Sequence, residues 1–287
     1  MLLLVVAGLV AACRPAPPPV PEPRPALWEV TGADGAHGWV FGTVHALPPG
    51  LAWRTPALDA ALARADSLVV EIADQGPPGE ARRTFLALAT TPGLPPLAQR
   101  VASDTRDELA RALARARLDP DAVRPLEDWA AALTLAQAGE SRRGFASAHG
   151  VERALLARAR ERPVIGLETV EGQFGAFDTL PPAAQRALLE AVVVESATGG
   201  DADRLLAAWL RGDVAALDRE ARAGMLADPR LRAALLVRRN RAWARRVATL
   251  LRERHQPFVA VGAAHVAGAD GLPALLEAEG FTVRRVQ

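Results

Sequence analysis

The chain has 287 residues, of which 50% are hydrophobic and 23% charged. It is apolar enough to fold and too long for a disulfide-built miniprotein. Its 34 basic and 33 acidic residues leave a net charge of +1, so no net field favours nucleic acid. The chain contains no Lys or Tyr and a single Cys, which excludes Schiff-base lysines, a Walker phosphate loop, internal disulfides and multi-Cys zinc sites.

In chain order, Leu2 to Ala12 is an uninterrupted apolar run. It falls short of the about 20 residues needed to cross a bilayer and reads as the core of a signal peptide over residues 1–12. The run ends in Val10-Ala11-Ala12-Cys13, which resembles the lipobox of bacterial lipoproteins and makes Cys13 a candidate lipidation site. A plain secretory signal is the alternative. Residues 13–26 are proline-dense and predict an extended spacer. The expectation is an exported lipoprotein, anchored to a membrane and facing the periplasm, with its folded domain over residues 27–287.

Leu27 to Val30 and Gly38 to Val44 flank a turn-rich segment and predict a β-hairpin. A helix over Pro56 to Ala65 leads to a buried strand, Ser67 to Ile72. From Gly79 to about Arg160 the apolar spacing is helical: Leu126, Trp129 and Leu133 share one face. The next strand, Pro163 to Leu167, precedes helices near Pro182 to Glu195, Ala202 to Leu210 and Pro229 to Arg254. The last strand pair is Phe258 to Val261 and Phe281 to Arg284. Between its members lies a helix with Asp270 positioned to cap it, Pro273 in its first turn and Gly280 beyond its end. The predicted fold is α/β, a central mixed sheet of five or six strands with a large helical insertion.

Two strands end alike. Val40-Phe41 runs into Gly42-Thr43-Val44-His45, and Ala260-Val261 runs into Gly262-Ala263-Ala264-His265. Each places an imidazole past a strand's carboxyl end, where ligands collect in open α/β sheets, and the glycines permit close approach. Glu71, after Leu68-Val69-Val70, is costly to bury unless paired or bound to metal. His45, Glu71 and His265 together match a donor set for a divalent ion with one position left for water. His37, His149 and His255 read as solvated. Gly166-Leu167-Glu168-Thr169 repeats the acid at a strand end, with Gln173 one turn on. Arg239 shares a helix face with Leu235 and Trp243, beside Asn240. An inward Arg needs an acceptor, either Glu168 in a structural pair or a substrate carboxylate or oxyanion.

These segments, in this order, resemble the TraB/GumN family, which is similar to the Tiki metalloproteases and more distantly to erythromycin esterases. The family resemblance implies a divalent metal, Mn²⁺ or Co²⁺, and peptide-bond hydrolysis in the Tiki branch. The family's Glu-Gln after the Gly-Leu-Glu-Thr block stands here as Glu171-Gly172-Gln173.

The leading expectation is a metal-dependent, peptidase-like hydrolase. His45, Glu71 and His265 hold the ion (Mn, Co or Zn), Glu168 acts as general base and Arg239 stabilises the oxyanion. Its substrate is a peptide or protein. Two alternatives stay open: a metal-independent esterase-like hydrolase with a His base oriented by Glu71, and a non-catalytic lipoprotein that binds a peptide or partner. No Ser lies in a Gly-x-Ser-x-Gly elbow, and the lone Cys is at the anchor, which disfavours a Ser or Cys nucleophile.

Overall fold

The structure, a computed structural model, describes residues 22–74, 76–159, 162–198 and 201–287. The predicted leader, Cys13 and most of the proline-rich spacer lie outside the described residues. The chain already docks on the domain at Arg24, whose N–H donates to the Leu210 carbonyl at 2.6 Å, and at Pro25, whose carbonyl accepts from the Gln287 amide at 2.7 Å.

Six strands form one mixed sheet: β1 (Leu27–Thr31), β2 (His37–Thr43), β3 (Ser67–Ile72), β4 (Val164–Glu168), β5 (Pro257–Gly262) and β6 (Thr282–Arg285). Their spatial order is β4-β3-β5-β2-β1-β6. The first four run parallel, and β1 is antiparallel to both neighbours. The last two strands of the chain are therefore not neighbours as the sequence suggested: β6 closes the edge beside β1, while β5 sits at the centre between β3 and β2.

Both faces of the sheet are covered, which is why its parallel strands are continuous apolar runs. Leu68, Val70, Phe41, Phe258 and Ala260 face one layer, which includes Leu58, Leu155 and Trp209. Val69, Val40, Val259 and Val261 face the other, which includes Trp243, Val247, Leu251, Leu272 and Leu276. Period-two alternation puts Glu71 on the same side as Val69.

The helical part is built from two segments, the first between β3 and β4 and the second between β4 and β5. They meet in their own core, where Trp129, Leu188, Leu231 and Leu235 are buried together. Val214–Ala223 is a helix that the sequence reading passed over, begun by the Asp213 side chain accepting from the Ala216 N–H. The predicted helix from Pro229 holds a π-helical turn, Ala233–Val237, before its long α segment, Arg238–Arg252. Such wide turns are frequent at functional sites.

Two smaller expectations are corrected. Asp270 does not cap the helix Leu272–Ala278, whose N-cap is Gly271 without a side-chain bond. Its carboxylate is taken by Arg232, 2.5 Å away. His37 is not solvated, because its ring is half-buried and meets Glu29 at 2.8 Å across the β1–β2 pair. His149 and His255 are exposed, as expected. Among the described residues no helix is long and apolar enough to cross a membrane.

Candidate functional site

The two Gly-x-x-His segments leave adjacent parallel strands at the same level, since Thr43 pairs with Gly262 in the β2–β5 ladder. On the other side of β5 the ladder pairs Val70 with Ala260, which puts Glu71 level with the end of β5. Three neighbouring strands therefore deliver His45, His265 and Glu71 to one edge. The glycines make the approach possible. A Cβ on Gly42 would stand 2.8 Å from Val266 Cγ2, and the Gly42 carbonyl accepts from the Trp209 indole at 2.8 Å. A Cβ on Gly262 would meet Glu71 Oε1 at 3.2 Å, His45 Nε2 at 3.4 Å and His265 Cδ2 at 3.6 Å.

Glu71 is 3% exposed. Its Oε1 accepts the Gly262 N–H at 2.8 Å, and its Oε2 accepts from Gln173 at 3.2 Å and from Arg239 Nη2 at 3.0 Å. Burial opposes its ionisation, but His265, His45, Arg239 and the Gly262 N–H more than offset this and hold its pKa below the ordinary carboxylate value. The altered Glu-Gly-Gln spacing thus still delivers Gln173 to Glu71.

Arg239 is the hub. Its Nε and Nη2 engage the two oxygens of Glu168 at 3.1 and 2.5 Å, and Nη2 also reaches Glu71. Its Nη1 donates to the Leu235 carbonyl at 3.0 Å and lies 3.3 Å from His265 Nε2. The guanidinium stacks 4.6 Å from the Trp243 ring centroid. The bidentate pair with Glu168 is the strong, geometrically fixed form of an Arg–carboxylate contact.

His265 is fixed by Asn240, which is fully buried. Asn240 Nδ2 donates to the carbonyls of Asp270 at 2.6 Å and His265 at 3.3 Å, so its Oδ1 faces His265 Nδ1 at 2.5 Å. Nδ1 therefore carries the proton and Nε2 presents its lone pair to Arg239. Burial lowers the His265 pKa to about 4, against the pull of Glu71. Its ring also lies against Trp243, with centroids 4.5 Å apart.

His45 has a different setting. Its Nδ1 lies 3.4 Å from Glu152 Oε2, and Thr43 Oγ1 donates to Glu152 Oε1 at 3.3 Å. The Glu152 contact raises the His45 pKa to about 9 against the effect of burial, with the charge of Glu71 adding to it. The side chain is 64% accessible and opens on a cavity that it helps to line. Glu152 was missed in the sequence because its one cue is the backbone. Gly150 lets that chain pass against the His45 carbonyl, and the Val151 N–H donates to the Val44 carbonyl at 3.0 Å.

This cavity of about 430 Å³ has His45, Gly262, His265 and Arg239 in its wall and apolar side chains over most of the rest. The donor types around Gly262 suit a divalent ion. Their spacing does not: among the described residues, no three His, Cys, Asp or Glu side chains stand close enough to hold one. The cation that Glu71 and His265 share is Arg239.

The family model described as the TraB/PrgY/gumN family matches residues 26–285. No curated protein and no solved structure matches the chain.

Proposed function

Because the chain belongs to the TraB/PrgY/gumN family, we propose that it is an exported hydrolase that activates water with the His45–Glu71–His265 cluster to cleave a peptide or related carbonyl substrate. The reading is supported most by the meeting of those three side chains around Gly262, with both imidazoles in the cavity wall.

The two imidazoles have opposite protonation at neutral pH, and titratable pairs whose pKa values are driven apart divide naturally into base and acid. His265, neutral with its Nε2 lone pair turned to Arg239 Nη1, takes the proton of the attacking water once the substrate carbonyl draws that N–H away. His45, protonated through Glu152, gives a proton to the leaving group. Arg239 holds Glu71 and Glu168 in place and sets positive charge beside the developing oxyanion. In this scheme Glu168 is a positioning residue, since both its oxygens are taken by Arg239.

A second reading keeps a divalent ion, Mn, Co or Zn, which His45, Glu71 and His265 would hold only by drawing closer together than they stand here. It draws on the His265–Asn240 bond, the kind of outer contact that orients ligand imidazoles. Such an ion would supply a water of lowered pKa. No step above depends on it. The membrane anchor through Cys13 belongs to the same proposal and is tested by radiolabelled fatty-acid incorporation into wild-type and Cys13→Ala protein.

The deciding experiment is peptide and ester hydrolysis by the wild type, His45→Ala and His265→Ala, with and without chelator and with metal content measured. Activity lost in both variants and insensitive to chelator supports the ion-free scheme. Activity abolished by chelator, with about one ion per chain, transfers the site to the second reading. Activity unaffected by either substitution overturns the site. A fully folded protein that hydrolyses nothing but binds peptide leaves the non-catalytic alternative.

A further inference from the structure

The cavity reaches far beyond the groups that would do chemistry. Its 430 Å³ lies in the range, roughly 300–1,000 Å³, of sites that enclose a small ligand. Leu205, Leu206, Met225 and Leu226 line it and are only half-buried. Buried Leu235 and Leu236 come from the π-helical turn just ahead of Arg239. Large aliphatic side chains that keep contact with water at the wall of a concavity gain by burial against an apolar ligand. Glu140, close to His45, and Glu220, paired with Arg204 at 2.9 Å, also line the space, and a carboxylate taken in among the apolar side chains would lose its hydration.

We propose that this cavity is a specificity pocket for a large aliphatic or aromatic residue next to the scissile carbonyl, and that it rejects acidic residues. The proposal rests on the hydrolase reading for the bond that is cleaved. The pocket's preference can be measured without cleavage. An apolar side chain entering past Leu206 and Leu226 would lie among these walls, while the carbonyl remained at the His45, Arg239 and His265 corner. The enclosing walls come from the helices Asp201–Leu210 and Val214–Ala223 and the turn after them. Variation in that segment would retune selection without touching the sheet-end groups.

The test is binding, by saturation-transfer NMR, of the N-acetyl amides of Leu, Phe, Ala and Glu to the full protein. The Leu and Phe amides should bind at least tenfold more tightly than the Ala and Glu amides. Ala221→Trp, which projects an indole from the cavity wall, should erase that preference, and Leu226→Trp serves as a second filling variant if the first misfolds. Equal binding of the four amides, no binding of any, or a preference that survives both filled cavities would overturn the pocket. Wild-type protein that shows the preference yet hydrolyses no peptide would sink the hydrolase reading alone.

Discussion

Asn240 grips His265 from both ends, its Oδ1 2.5 Å from the ring Nδ1 and its Nδ2 3.3 Å from the same residue's carbonyl oxygen. Asn240→Ala leaves a buried Nδ1–H and two carbonyls without a partner, a loss of about 1–3 kcal/mol per unmade bond. The melting temperature should fall. Long-range ¹⁵N correlation spectra should show His265 moving from the Nδ1–H tautomer to a mixture. An unchanged tautomer would mean that another group sets it.

Glu71→Gln keeps the shape but removes the buried negative charge that Arg239 and the Gly262 N–H address. Breaking such a pair costs about 3–5 kcal/mol, so denaturant midpoints should drop steeply and hydrolysis should vanish. A variant as stable as the wild type would show that Glu168 alone satisfies Arg239.

Glu152→Gln should return the His45 pKa from about 9 toward its ordinary value of 6.5, because the carboxylate contact is the largest cause of the rise. The readout is titration of the His45 ring by NMR. A pKa still near 9 would transfer the effect to Glu71.

The two histidines give stability opposite pH dependences. His45 is raised, so its contribution is complete below pH 6.5 and fades as pH climbs through about 9. His265 is lowered. Its neutral form costs nothing above pH 6.5, and stability is lost as pH falls from there toward about 4. Unfolding midpoints between pH 4 and 10 should peak near pH 6.5 and fall on both sides. His45→Gln should flatten the alkaline side, and a His45→Gln profile that still declines there would refute the assignment.

Gly262→Ala places a methyl group 3.2 Å from Glu71 Oε1 and 3.4 Å from His45 Nε2. Overpacking of this kind costs about 1–3 kcal/mol. Hydrolysis should fall by at least tenfold, with a melting temperature only a few degrees lower. Activity equal to the wild type would mean that no water is held above Gly262.

Much of this arrangement was legible in the chain. Apolar runs such as Leu68-Val69-Val70 announce parallel strands because both sheet faces are buried, and residues just past such runs must gather at one edge. That logic brings His45, Glu71 and His265 together, and burial of the Arg239 face finds Glu168. It could not find Glu152, whose meeting with His45 depends on how the first helical segment returns to the sheet. Nor could it place β6, because a four-residue edge strand pairs with whichever partner the preceding helix leaves in reach. His37 was misjudged because its partner, Glu29, lies across the hairpin, where pairing depends on strand register.

The π-helical turn at Ala233–Val237 acts as a phase shifter between two cores. Leu231 ahead of it and Ala234 and Leu235 within it belong to the helical cluster, while behind it Trp243, Val247 and Leu251 lie on the sheet. Each residue of an α-helix advances the angle by about 100°. Deleting one residue there would let the turn relax to an ordinary pitch, but the two apolar stripes could then no longer both face inward. Arg239 and Asn240 sit at the start of the second stripe, so the aim of the site depends on the length of this turn as well as on its side chains.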